Sequence, residues 1–221
     1  MSRIVGLVPA AGRATRLQPL SCSKELLEVR GRPVMDYLLE RMRTADPDEI
    51  RVVTRPDKED VARHARAAGA TVILGEPKSA AASFALAAAG LDGGDIVLLG
   101  FPDTLWEPPD GFVRLIGGLE GAEAALGLFG TPDLARSDVV VVDDDRVVRE
   151  IQVKPELPRS DLIWGCAAVR VRALQGLDER EEAGELLGEL AQAGAVRGLH
   201  LSDAWIDIGT AESLARARES A

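Results

Sequence analysis

Cysteine, histidine and positive charge are scarce in this sequence, and each scarcity removes a class of function. Only Cys22 and Cys166 occur, far apart and without metal-ligand spacing, so neither a disulfide framework nor a zinc site is indicated. His64 and His200 read as a helix-surface residue and a strand residue, and no catalytic His or Cys constellation stands out. Lys and Arg number 26 against 36 Asp and Glu, a formal net charge of -10, which argues against a surface that wraps nucleic acid by counterion release. No apolar run approaches the roughly 20 residues of a membrane span, and the N-terminus lacks the long apolar stretch of an export signal. The expectation is a protein of the reducing cytoplasm with no nucleic-acid or membrane partner, its assembly state left open. Small anionic ligands remain open to it.

What the chain does have is regular alternation. With 221 residues, 46% of them hydrophobic, it fits one domain over residues 1–221 with a substantial core. Ile4 to Val8 reads as a buried strand, and Pro33 opens a helix to about Arg43 with Val34, Tyr37, Leu38 and Met42 on one face. A strand at Glu49 to Thr54, a helix at Lys58 to Ala68, a short strand at Ala70 to Leu74 and an alanine-rich helix at Ser79 to Ala89 follow. Asp95 to Gly100 is an otherwise continuous apolar run, the mark of a strand covered on both faces, and is expected at the centre of a parallel sheet. Beyond it the pattern predicts a helix at Phe112 to Gly118 and a strand at Glu123 to Phe129. A hairpin from Val139 to Val148 has an acidic tip at Asp143 to Asp145, better read as a solvated turn than as a metal site. A strand at Ile163 to Val171, a helix at Glu181 to Gln192 and a strand at Val196 to Leu201 precede a terminal unit, where Asp207 lies inside an apolar strand and Thr210 caps a last helix. Such units imply a doubly wound α/β sheet with ligands at the carboxyl ends of the strands.

The chemistry concentrates in Val5 to Leu27. Pro9-Ala10-Ala11-Gly12 follows the first strand with no bulky side chain, so a ligand can approach its backbone N–H groups. Arg3, Arg13, Arg16 and Lys24 are the only charged residues before Glu25, and cations gathered at a backbone-exposing turn of an acidic protein suit phosphate. The same stretch also fits a plain strand-to-helix turn with solvated cations. Asp103 follows the apolar strand ending at Gly100, and with Asp207 it forms a pair of strand-end acids of the kind that hold Mg²⁺ beside substrate phosphates. Either acid alone fits a turn or a helix cap equally well.

Five motifs in order then carry a resemblance. Pro9-Ala10-Ala11-Gly12 with Ala14-Thr15-Arg16-Leu17 and Pro19, Ser23-Lys24-Glu25-Leu26-Leu27, Phe101-Pro102-Asp103, Val153-Lys154-Pro155 and Trp205-Ile206-Asp207-Ile208-Gly209-Thr210 are similar to those of sugar-1-phosphate nucleotidyltransferases. The likeness is closest to the enzymes that join glucose 1-phosphate to UTP or dTTP, and the Pro9-Ala10-Ala11-Gly12 and Lys24-Glu25 forms lean toward the uridylyltransferase branch. It implies a Rossmann-like, doubly wound mixed sheet in three αβα layers and the Mg²⁺-dependent conversion of an NTP and a sugar 1-phosphate to an NDP-sugar and pyrophosphate. By the same resemblance Ala10, Ala11, Gly12, Arg13, Thr15 and Ser79 hold the nucleotide, and Arg16 neutralises the departing phosphates. Lys24 stabilises charge at the α-phosphorus, Asp103 and Asp207 bind the metal, and Lys154, Val153 and Gly165 meet the sugar phosphate. The incoming phosphate is already ionised, so alignment and charge neutralisation matter more than a general base.

Departures from the family pattern bear on specificity. Leu74 stands where a base-reading Gln is frequent, Ser79 where Gly is usual, Ser23 where Pro is usual, and Val153 where an acid contacts sugar hydroxyls. Tolerance between UTP and dTTP, and a sugar less polar than glucose near Val153, are the resulting expectations. Two other readings stand beside the leading one: a cytidylyltransferase acting on a non-sugar phosphate, which the Trp205 to Thr210 ending disfavours, and a catalytically silent binding module.

Overall fold

The computed structural model describes residues 2–131 and 134–219. Strand β1 (Ile4–Pro9) is followed by the ribbon of β2 (Glu28–Val29) and β3 (Arg32–Pro33), then α1 (Val34–Thr44), β4 (Glu49–Thr54), α2 (Glu59–Ala67), β5 (Thr71–Leu74), α3 (Ala80–Ala88) and β6 (Ile96–Gly100). Next come β7 (Thr104–Trp106), α4 (Gly111–Gly117), β8 (Ala124–Gly130), β9 (Val139–Val142), β10 (Val148–Gln152) and β11 (Leu162–Arg170). The described chain closes with α5 (Ala183–Gln192), β12 (Val196–Ser202), β13 (Trp205–Asp207) and α6 (Ala211–Glu219).

The apolar runs become buried strands for the reason their composition suggests: helices cover both faces, so no position needs a polar side chain. β5, β4, β1 and β6 lie side by side and parallel. β11 then runs antiparallel to β6, β8 antiparallel to β11, and β12 parallel to β8. The hairpin of β9 and β10 joins β11 where Ile163 pairs with Val139. β6 is therefore central, but the sheet around it is mixed, and the wholly parallel surroundings expected for it are corrected by its antiparallel partner β11. Helices α1, α2 and α4 pack on one face and α3 and α5 on the other, giving three layers.

β1 leads outward to β4, whereas β6 lies on its other side, so the chain changes direction between β1 and β6. The loops leaving the carboxyl ends of these two strands, beginning at Ala10 and Phe101, flank the crevice where ligands sit in such sheets. A smaller third core, with Leu27, Val29, Val34, Tyr37, Leu105, Ile208 and Ala217, fixes the loop after β1 against α6 and the ribbon β7–β13.

That ribbon differs from the terminal unit expected. β13 does not extend the main sheet; it pairs with β7, placing Trp205 opposite Trp106 and Asp207 opposite Thr104. Trp205 packs on Phe129 with ring centroids 4.9 Å apart, and its ring fills the space that a side chain at Gly165 would need. Gly100 is likewise a close-approach position, since a Cβ there would lie 2.5 Å from Leu38 Cδ1 of α1. Gly100→Ala should accordingly lower unfolding free energy by about 1–3 kcal/mol through overpacking, read from urea titration against wild type.

Candidate active site

The loop after β1 is held from below by a buried ion pair. The Lys58 ammonium donates to both Glu25 carboxylate oxygens at 2.7 Å, to the Ala10 carbonyl at 2.8 Å and to the Gly12 carbonyl at 3.2 Å. Glu25 is fully buried, and burial raises its carboxyl above the ordinary value even against the opposing charge and hydrogen bonds of Lys58. Ala10 N–H donates to the Val53 carbonyl at 2.8 Å, so the loop also continues the β1–β4 ladder by one bond. Farther along, Asp60 accepts from both the backbone N–H and the hydroxyl of Ser23, each at 2.8 Å. Ser23, standing where the family has Pro, is thus a tether for the residue that follows it.

That residue, Lys24, pairs with Asp103 across the crevice. Burial lowers the Lys24 ammonium, but the charge and hydrogen bond of Asp103, aided by Glu25 and Asp207, outweigh it and hold Lys24 above its ordinary value. Asp103 is fixed by the ribbon, since Ile208 N–H donates to its carbonyl at 2.8 Å.

Two clefts meet at Asp103. The first, of about 310 Å³, is lined by Ala11, Gly12, Arg13, Lys24, Ser79 and Asp103 together with Phe101, Lys78 and Ser83. The second, of about 210 Å³, is lined by Arg16, Asp103, Asp138, Lys154, Trp164, Glu182, Trp205 and Asp207. The expected site residues therefore divide, with the glycine-poor loop, Arg13 and Lys24 on one side, Lys154, Arg16 and Asp207 on the other, and Asp103 common to both. Ser79 has a structural reason as well, for its hydroxyl caps α3 by accepting from Ala82 N–H at 3.1 Å. Asp103 and Asp207 come from neighbouring chain segments and line one wall. Among the described residues no group of three His, Cys, Asp or Glu forms a metal cage, so a cation at this pair has substrate oxygens and water to complete its shell.

Other expected residues stand apart. Ala10 is buried beneath the loop, Thr15 is exposed on the turn Thr15–Leu17, and neither lines either cleft. Val153 is half-buried and lines neither, and Gly165 acts by admitting Trp205. Leu74 is 53% exposed at the end of the edge strand β5. His64 pairs with Asp36 at 2.6 Å and His200 with Asp203 at 2.9 Å, both away from the clefts. Asp143 accepts from Asp145 and Val147 N–H groups, the turn role read for the acidic tip.

Sequence reasoning missed Lys58, Asp60, Asp138 and Glu182. Glu25 was visible in the Lys24-Glu25 pair without a role, and nothing in the spacing marked Lys58 as its partner. Asp138 carries one oxygen on the Trp164 indole N–H at 3.1 Å, while its Oδ1 is buried with no hydrogen-bond partner. Burial first, then the Glu182 charge, push the Asp138 carboxyl above its ordinary value against the pull of Trp164 and Lys154. Lys154, at φ 42° in the left-handed region, directs its ammonium to Glu182.

A cation-bearing loop and two acids at the switch point of a mixed sheet define a nucleotide-handling α/β protein. Residues 6–154 match the MobA-like NTP transferase domain, and the chain belongs to that family. It is 26% identical over 215 residues to a provisionally named mannose-1-phosphate guanyltransferase of Sulfolobus acidocaldarius, a match covering 93% of this chain and 60% of that relative. To the glucose-1-phosphate thymidylyltransferase of Mycolicibacterium smegmatis it is 25% identical over 232 residues, covering 95% of this chain and 79% of the relative. A provisionally named glucose-1-phosphate thymidylyltransferase from Bacillus anthracis, solved in complex with sucrose, superposes with a TM-score of 0.86 at 20% identity, covering 98% of this chain and 94% of its own. The shared fold is the nucleotidyltransferase one.

Two outcomes test the loop's supports. Lys58→Met strands a fully buried carboxylate and should cost about 3–5 kcal/mol in urea titration at pH 7. Asp60 is held below its ordinary 3.8, because the Ser23 and Val61 donors outweigh the opposing effect of burial. Its contribution is therefore present above pH 3.8 and lost as pH falls through the lower folded value, and the stability gap between wild type and Asp60→Ala should close over that range.

Proposed function

We propose that this chain transfers a nucleotidyl group from a nucleoside triphosphate to a sugar 1-phosphate, releasing pyrophosphate. The observation that carries the reading is the meeting of two clefts at Asp103, one walled by the cationic loop and the other by Lys154. The loop-side cleft takes the triphosphate and the Lys154 cleft the sugar phosphate, which puts the α-phosphorus at their junction. An oxygen of the sugar phosphate forms the new bond to that phosphorus as the bond to the bridging oxygen of pyrophosphate breaks. The nucleophile arrives ionised, so no proton has to be removed, in keeping with both histidines lying elsewhere.

Lys24 is charged throughout the neutral range and neutralises the transferring phosphoryl group, while Arg13 on the triphosphate side compensates the phosphates that leave and Arg16 on the sugar side adds positive charge beside the junction. Lys154 gives up Glu182 for the sugar phosphate. Asp103 and Asp207 suit Mg²⁺, which takes one or two carboxylates and completes its shell with substrate oxygens, and when bound it supplies further neutralisation of phosphate charge. The Trp205 to Thr210 ending, which supplies Asp207 and seats Trp205 beside the sugar-side cleft, supports a sugar rather than a non-sugar acceptor. For the nucleotide, the loop motifs lean to UTP whereas the thymidylyltransferase relative supports dTTP, which is placed first; the Sulfolobus relative adds GTP.

Pyrophosphate release measured over five NTPs crossed with a panel of sugar 1-phosphates should single out one pairing dependent on Mg²⁺. Asp103→Asn and Asp207→Asn should each abolish it with the fold intact by circular dichroism. Lys24→Ala and Arg16→Ala should lower kcat by about 10²-fold or more, roughly 3 kcal/mol. No release with any pairing, or full activity in either aspartate variant, would refute the assignment.

A further inference from the structure

In the β9–β10 hairpin, Val139 pairs with Gln152, and the next positions outward are Asp138 and Val153. The acid absent at residue 153 thus has a carboxylate nearby, on the residue just before β9, one position beyond the last pair of the ladder. Asp138 lines the cleft that holds Lys154 and Asp207, whereas Val153 does not. Resting on the reading of that cleft as the sugar-phosphate site, we propose that Asp138 is the residue that selects the sugar, accepting a hydrogen bond from one hydroxyl of the sugar 1-phosphate held at Lys154.

The carboxylate is built in rather than incidental. Its Oδ2 is anchored by the Trp164 indole, which fixes the group, and its Oδ1 is left as a buried acceptor without a donor. A buried acceptor in that state is costly, and a hydroxyl is the donor a sugar brings. At the start of α5 a side chain on residue 184 would collide with Asp138 Oδ2, so Gly184 is required for the carboxylate to sit where it does. Beside it, Glu182 holds the Lys154 ammonium. Lys154 and Glu182 line the same cleft as Asp138, so a sugar phosphate that draws Lys154 from Glu182 brings its hydroxyls into the cleft that Asp138 walls. The substrate is then a sugar hydroxylated at the position facing Asp138, not the less polar one expected from Val153 alone.

The test compares wild type with Asp138→Asn, which keeps size and one acceptor but replaces the other carboxylate oxygen with an amide donor. Glucose and mannose 1-phosphates and their 2-, 3-, 4- and 6-deoxy analogues are assayed for kcat/KM in pyrophosphate release, and each is titrated calorimetrically into both proteins with and without the NTP. Wild type should reject one deoxy analogue by roughly 10²-fold or more, because removing the hydroxyl leaves the buried acceptor unpaired. Asp138→Asn should compress that one ratio to under about tenfold while the ratios at other positions stay unchanged. A purely structural role would lower all sugars alike, and that result, or an identical deoxy profile in the two proteins, overturns the inference. Turnover without an Asp138-dependent preference overturns this assignment and leaves the transferase reading intact. Hydroxyl-selective, Asp138-dependent binding without turnover for any pair does the reverse, and absence of both binding and turnover overturns the two together.

Discussion

One buried ammonium organises the nucleotide side of this molecule. Lys58 comes from the start of α2, yet it satisfies two carbonyls of the loop after β1 and a carboxylate from the segment that carries Lys24. Three stretches of chain are thereby tied at one point. A loop of small residues has no side chains with which to hold its own shape, and a buried charge pair with saturated geometry supplies the restraint that packing cannot. Asp60, two residues farther along in the first turn of α2, holds Ser23 by accepting from its backbone N–H and hydroxyl. The alanine-rich segment, with Gly12 its one glycine, is braced from beneath by a single helix.

The sugar side is organised differently, by aromatic packing. Trp205 lies on Phe129 and over Gly165, Trp164 holds Asp138, and Trp164 also stacks with Phe101 at 5.5 Å. In a chain with 4% aromatic residues, all three tryptophans sit within the ribbon and the walls of the site or directly beneath them. Rigid rings set the cleft's shape while their N–H groups remain available to orient an acid.

Much of the architecture was legible because buried strands and amphipathic helices write their burial into composition. β4 falls on the residues expected, Glu49 to Thr54, and α1, α2 and α3 begin and end within a residue or two of the expected points. Three-residue strands carry no period to read, so β7 and its pairing with β13 were invisible, and the strand holding Asp207 was legible as a strand without its partner. The loop and its cations stood out by charge against an acidic background. Their supports did not, because Glu25 and Lys58 find each other only through the fold. Val153 shows the opposite limit: a motif read along the chain registers a missing acid, but a site is assembled across strands, where Asp138 stands nearby.

The ribbon has a consequence in time. Every residue of the loop-side cleft lies at or before Asp103, and β1, β4, β5 and β6 can align once that much chain is made. Asp207 and Trp205 arrive about a hundred residues later, on a strand that pairs among the described residues with β7 alone, and α6 then locks them down as Arg218 donates to the Glu28 carbonyl at 3.0 Å. In the order of synthesis, the residues that line the loop-side cleft therefore precede the second carboxylate and the wall of the acceptor cleft. The two clefts are thus drawn from successive parts of the chain, and the later segment, which carries Asp207 and Trp205, is the one that joins them.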